Sequence, residues 1–256
     1  MSLSNGTRRI NIEVEKIVQN SFDYQEVYLR FNGEKSRYKM IVRKDVLMAI
    51  VKRGYKLIPH ELVDRVLAEI SEIAVKEKHE EGGRCYWRCA VNGRDDVEIL
   101  VENSIDSSLA LAARLAILYG NSRFVMTGAI RAKVGMDMKK VHKKSANVDD
   151  LPKVIREMLK NVDKVKEWLD KIFVLKAVDF KDVWELVKEE IPEKYTREIF
   201  ARLYAMQNNS ITVGDVYKDI ARHIWSNPKS DMNTKMMFVQ RLNEALWIIG
   251  EAVAFG

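Results

Sequence analysis

A chain of 256 residues, 47% apolar and 31% charged with 12 Gly and 4 Pro, has the chemistry of a globular protein with one large core or two smaller ones, which excludes disordered, collagen-like and low-complexity architectures. Residues 109–119 are the longest mostly apolar stretch, too short to span a bilayer and interrupted by Arg114, and residues 1–9 lead into no apolar signal block; the expectation is a cytoplasmic protein with no membrane partner. The net charge of +6 is unevenly placed, with +7 in residues 35–56 and +5 in residues 131–147 against −6 in the rest, and a concentrated positive patch can hold an anionic polymer by releasing its counterions.

In chain order, residues 26–31 and 36–43 read as two strands joined across Asn32-Gly33, the strongest short hairpin signal. A period of two puts Tyr38, Met40 and Val42 on a packing face, and Arg37, Lys39, Ile41 and Arg43 on a basic one. Pro59 opens a helix expected to run to Gly82-Gly83, since Leu62, Val66, Leu67, Ile70 and Ile73 keep the 3.6 period. Residues 84–91 and 97–102 form a second hairpin about Asn92-Gly93. Periodicity leaves residues 108–119 open between helix and buried strand. Residues 123–127 read as a strand, and the basic segment to Asn147 as strand plus loop. The pattern then changes to amphipathic helices over 149–173, 180–191, 196–206, 213–225 and 230–255, the first announced by Asn147, Asp149, Asp150 and Pro152. The fold class is therefore α+β: a β-rich half with antiparallel hairpins and a helix (residues 1–147), then an all-helical domain or extension (residues 148–256).

Several local patterns carry a family likeness: Tyr38-Lys-Met-Ile-Val-Arg-Lys-Asp45, Arg53-Gly-Tyr-Lys-Leu-Ile-Pro59 and, most sharply, Asn103-Ser-Ile-Asp-Ser-Ser108, with weaker matches at Val141-His-Lys-Lys144 and residues 213–223. Through them the chain resembles the phage- and plasmid-associated proteins of domain-of-unknown-function family 932 over residues 25–225. The family's Asn-Ser-(aromatic or His)-Asp-Gly-Ser has Ile105 and Ser107 at its third and fifth positions here, and of its Cys-x-Asn-Gly only Asn121 is present, between Tyr119 and Ser122. The resemblance implies a mobile-element setting, where replication, recombination and defence are common tasks, and a strand over residues 108–119.

Candidate chemistry is sparse. Cys85 and Cys89 suit a reducing compartment; at four residues apart on one strand they stand about 13 Å from each other, too far for one zinc, and are expected as core thiols beside Trp87. Asp95, Asp96, Glu98 and Glu102 suggest a magnesium nuclease, but no Lys follows at the spacing that such a site uses, and acidic clusters are common on solvated strand faces. Asn103, Ser104, Ser107 and Ser108 form a cluster of short polar side chains, a turn by local chemistry or a phosphate contact. His142 lies among lysines, which suits a phosphate-contacting donor better than a metal ligand. No Gly-rich phosphate loop, paired metal-binding His motif or Ser/His/Asp order occurs, so no metal, cofactor or catalytic residue is assigned and the chain reads as non-enzymatic.

The leading expectation is a nucleic-acid-binding protein, with single-strand binding or annealing in replication or recombination as one option and the strand type, DNA or RNA, left open. Its basic side chains are Arg37, Lys39, Arg43, Lys44, Lys52, Arg53, Arg131, Lys133, Lys139, Lys140, His142, Lys143 and Lys144, with a tyrosine such as Tyr38 or Tyr55 to stack bases. The alternative is an assembly protein that homo-oligomerises through the helical half, where Met232, Met236, Met237, Phe238, Leu242, Leu246, Trp247 and Ile249 make an apolar surface that the chain itself or a partner must cover.

Overall fold

The computed structural model describes residues 11–126, 147–205 and 210–255. The fold is α+β, with a mostly stranded N-terminal half and a helical C-terminal half. Strands β1 (Ile12–Gln19), β2 (Tyr24–Phe31), β3 (Glu34–Arg43) and β4 (Val46–Lys52) make a four-stranded antiparallel meander. After α1 (His60–Ala68), strands β5 (Ile73–Glu81), β6 (Arg84–Val91), β7 (Arg94–Ser104), β8 (Ala112–Tyr119) and β9 (Ser122–Val125) make a five-stranded one. Helices α2 (Leu151–Lys160), α3 (Val162–Phe173), α4 (Lys181–Glu190), α5 (Glu193–Tyr204), α6 (Val213–Ser226) and α7 (Met232–Phe255) follow.

Turn chemistry sets both meanders. Asn32-Gly33 and Gly82-Gly83 each place two successive residues at positive φ (50° and 80°, 54° and 82°), the geometry of a two-residue hairpin that matches strand twist. The second turn explains why the helix from Pro59 stops early. Ile70 and Ile73 do enter the core on the helix's period, but residues 73–81 pair with β6 across Gly82-Gly83. That strand lies at the sheet's edge and is mostly exposed, so its Lys-Glu-Lys-His-Glu-Glu run shows no alternation. The helix expected over 149–173 is two: Asn161 has φ −104° and ψ 1°, and its Nδ2 donates to the Glu157 carbonyl at 2.8 Å. Residues 108–119 contain strand β8, as the resemblance implied.

One large core runs from the five-stranded sheet into the helices, joining Trp87, Ile99 and Leu115 to Ile155, Leu169, Trp184 and Leu246. The composition change near residue 147 therefore separates strand from helix without dividing this core. The apolar surface of α7 is turned into it as well: Leu242, Leu246 and Ile249 are fully buried and Phe238 nearly so, while Met237 remains half exposed. Tyr217 Oη donates to Asn243 Oδ1 at 2.9 Å, and Asn243 Nδ2 to the Val125 carbonyl at 2.5 Å, which ties α6, α7 and β9 together.

The four-stranded sheet has its own small core: Tyr24, Ile41 and Val51 meet Tyr55, Leu57 and Ile105. This reverses the expected faces of β3. Lys39 and Ile41 point inward, buried, while Tyr38 is 51% exposed on the opposite face. From Tyr38 to Ile41 the alternation holds with its polarity reversed, while Arg37 is exposed and Ser36 buried beside an irregularity in the β2–β3 register; the inward lysine is neutralised, since Lys39 Nζ pairs with Glu26 and donates to the Tyr55 carbonyl at 2.7 Å. A paired and hydrogen-bonded charge can be buried where a lone one cannot. The outward face carries Ile12, Val14, Ile17, Leu47 and Ile50, each more than half exposed.

Candidate functional site

The residues singled out for nucleic acid fall into three groups. Lys39 is interior, and Arg43 and Arg53 are half-buried and ion-paired, to Glu61 on α1 and to Glu15 on β1, so these three are not the open basic face that periodicity suggested. Each also touches an aromatic ring: Arg43 lies 4.7 Å from the Tyr24 centroid, and Arg53 and Lys39 lie 4.9 and 5.2 Å from that of Tyr28. Arg37, Lys44 and Lys52 are exposed and make no ion pair among the described residues. Lys52 stands directly opposite Tyr38 in the β3–β4 register, and the Arg37 carbonyl accepts from Arg53 N at 2.8 Å, which holds this end of the edge strand in place. Arg131, Lys133, Lys139, Lys140, His142, Lys143 and Lys144 lie outside the described residues.

The short polar cluster divides as well. Asn103 and Ser104 are fully buried: Asn103 Nδ2 donates to the Ile58 carbonyl (2.9 Å) and meets His60 Nδ1 (3.0 Å), while Ser104 Oγ bonds the Leu109 backbone. They brace the interior and do not face a phosphate. Ser107, at φ 64°, and Ser108, whose N donates to Asp106 Oδ1 at 2.9 Å, form the turn that local chemistry predicts. Three of the four carboxylates of the acidic group are engaged by cations, and Asp95 is exposed. Asp96 is clamped by Arg94 and Lys166, which hold its carboxyl well below the usual range; Glu98 is paired to Arg88 and Arg123, and Glu102 to Arg114. Cys85 and Cys89 are buried in the core on either side of Trp87 along β6, and burial pushes both thiols up to about 12.

The ion pairs of Arg88, Arg114 and Arg123 belong to a cleft that the sequence reading missed. On β6 the period of two sends Cys85, Trp87 and Cys89 into the core and Tyr86 and Arg88 to the other side, while Leu100, Glu102 and Glu98 of β7, Arg114 of β8 and Arg123 of β9 share that second face. The end of α6 and the start of α7 hang over it and enclose a cavity of about 390 Å³ whose lid is Trp225, Met232 and Met236. A recess of about 230 Å³ continues from it past Glu102, Arg114 and Met236 to Ser108, Asn233 and Gln240. The signal was present in sequence: Arg114 is the one charged residue of an otherwise apolar strand.

The cleft is charged but balanced. Arg88 donates to Glu98 Oε1 at 2.6 Å and pairs with Glu77, Arg123 reaches Glu98 Oε2 at 2.7 Å, and Arg114 pairs with Glu102. Glu98 and Glu102 are themselves buried. The two carboxylates on Arg88 push its pKa further up, and Arg88 holds that of Glu77 down. Burial raises the Tyr86 phenol to about 12, so it remains a neutral donor. Three buried N–H donors, Arg114 Nε, Arg123 Nε and Trp225 Nε1, have no hydrogen-bond partner among the described residues, and neither does one acceptor, Glu98 Oε2, although Arg123 neutralises it as an ion pair; the Arg123 guanidinium lies over the Trp225 ring at 5.3 Å. No family model matches the chain, and neither a curated protein nor a solved structure does.

Proposed function

We propose that the protein binds nucleic acid, as a single strand, at the β3–β4 edge of the four-stranded sheet, and serves replication or recombination in the mobile-element setting that the resemblance implies. The observation that supports this reading best is Tyr38, an aromatic ring 51% exposed and placed opposite Lys52, with the exposed Arg37 preceding it in the strand. A base has a π-face whatever its identity, so an exposed ring flanked by cations holds a strand without reading its sequence. Within the +7 segment, Arg37, Lys44 and Lys52 are exposed and give this edge its positive field.

The test is fluorescence anisotropy of a labelled single-stranded oligonucleotide across a salt series. Affinity is expected to fall steeply with salt. Arg37→Ala with Lys52→Ala reduces the log–log slope by roughly 1.4, about 0.7 for each phosphate no longer neutralised. Tyr38→Ala weakens binding by about 1–3 kcal/mol for the lost stack. Salt-indifferent binding, or none at low salt, overturns the reading.

A second reading rests on a different observation: the five aliphatic side chains more than half exposed on the outer face of the same sheet. Contiguous apolar surface of this kind marks association sites. Two copies joined by these faces would form a homodimer, which moves the expected assembly surface from the helical half to the sheet. Sedimentation velocity decides it: a dimer dissociated by Ile50→Lys supports this reading, and a monomer at all concentrations excludes it.

A further inference from the structure

We propose that the cleft between the five-stranded sheet and the start of α7 binds a neutral, planar heteroaromatic ring rich in hydrogen-bond acceptors, the chemistry of a nucleobase. The inference is independent of strand binding at Tyr38, because it concerns another sheet and other residues.

Three features define the ligand. The first is size: about 390 Å³ lies at the small end of ligand pockets, which run from roughly 300 to 1,000 Å³, and suits one ring system. The second is charge. Arg88, Arg114 and Arg123 are matched by Glu77, Glu98 and Glu102, so an anion entering the cleft gains no net positive field and meets buried carboxylates. A phosphate is best held by a guanidinium fork with its N–H groups available, and here each fork is already engaged by a glutamate. The third is the pattern of leftover valence. The three donors without partners among the described residues, on Arg114, Arg123 and Trp225, each cost free energy while they stay buried and unpaired. Carbonyl oxygens and ring nitrogens satisfy them without bringing in charge.

The walls agree with this. Tyr86 and Trp225 offer aromatic surface, Leu100 an apolar floor, and Met232 and Met236 a flexible thioether lid that can shift to admit a ring. Reading a base by edge hydrogen bonds between apolar and aromatic walls is the general solution wherever a protein takes a base out of a stack. The ring can come from a free nucleoside or from an unpaired base in a strand, and the recess past Ser108 and Gln240 gives either one an exit path.

The experiment is isothermal titration calorimetry of the full chain with adenosine, guanosine, cytidine and uridine, with orthophosphate as a separate arm. At least one nucleoside is expected to bind saturably, while orthophosphate neither binds nor competes. Trp225→Phe keeps a ring and deletes one donor, and is expected to weaken binding about tenfold. Met236→Trp fills the cavity and abolishes binding. Should Met236→Trp fail to fold, Trp225→Phe with a native melting curve decides alone. Displacement of the nucleoside by an oligonucleotide, and not by the same oligonucleotide with abasic positions, identifies a base in a strand; its absence identifies a free ligand. No saturable heat with any nucleoside, competition by equimolar orthophosphate, or full affinity in both variants overturns the proposal.

Discussion

The two meanders are built alike, each with consecutive strands paired antiparallel about short turns, yet Ile50 in the four-stranded sheet is 63% exposed whereas Ile99 in the five-stranded sheet is wholly buried. The difference lies in what packs on them. The five-stranded sheet has α1 and α2 beside one face and the α6–α7 corner over the other, so the buried carboxylates of its charged side, Glu98 and Glu102, are each paired with a guanidinium. The four-stranded sheet has a core of six buried residues on one side and exposed aliphatic side chains on the other. Local turn chemistry thus fixes connectivity in both, and remote helices decide which sheet becomes structural core and which keeps an exposed face.

The largest effect is expected in the enclosed core. Ile99→Ala, in the enclosed sheet, is expected to cost about 3 kcal/mol of unfolding free energy through lost burial and a residual cavity. Urea denaturation measures this, and a loss below about 1 kcal/mol would mean that the sheet is not enclosed. Next comes Glu98→Ala, expected to cost about 2 kcal/mol, since it strips Arg123 and half of Arg88 of their acceptor under the helical lid. Restoration by Glu98→Gln should be partial at most, because an amide accepts the hydrogen bonds without the charge.

Acid titration examines the junction between the sheets, where His60 opens α1 against Asn103 of β7. Burial lowers the His60 pKa below 6.5, so the native state disfavours the proton that the unfolded chain accepts. Its contribution is fully present above about 6.5 and is lost as pH falls from there toward the depressed native value. Chemical denaturation at a series of pH values should show stability declining below 6.5, with that part of the decline absent in His60→Gln. The smallest effect belongs to the open face: Ile50→Ala should change stability by no more than about 0.5 kcal/mol, and a loss near that of Ile99→Ala would show that something covers it.

Much of the fold was legible because its signals are local. Asn32-Gly33 and Asn92-Gly93 marked hairpins, and the long helical stripes from residue 149 onward turned into helices. Strands β1 and β4 went unread: a bulge between Val14 and Lys16 interrupts the alternation of β1, and β4 is a nearly unbroken apolar run with no alternation. The site was less legible. Whether Lys39 is solvated or buried depends on Glu26, thirteen residues away on the neighbouring strand, and whether Arg88, Arg114 and Arg123 share a cleft depends on register across four strands and on a helix more than a hundred residues later. A count of basic residues cannot separate the cations that face solvent from those that hold the sheets together.

The claim that the open sheet meets the strand is tested most directly by ultraviolet crosslinking of a single-stranded oligonucleotide bearing a halogenated pyrimidine, followed by peptide mapping. Crosslinks are predicted on the peptide that contains Tyr38, lost in Tyr38→Ala and suppressed by salt. Crosslinks confined to the helical half, or unchanged in Tyr38→Ala, would contradict the account.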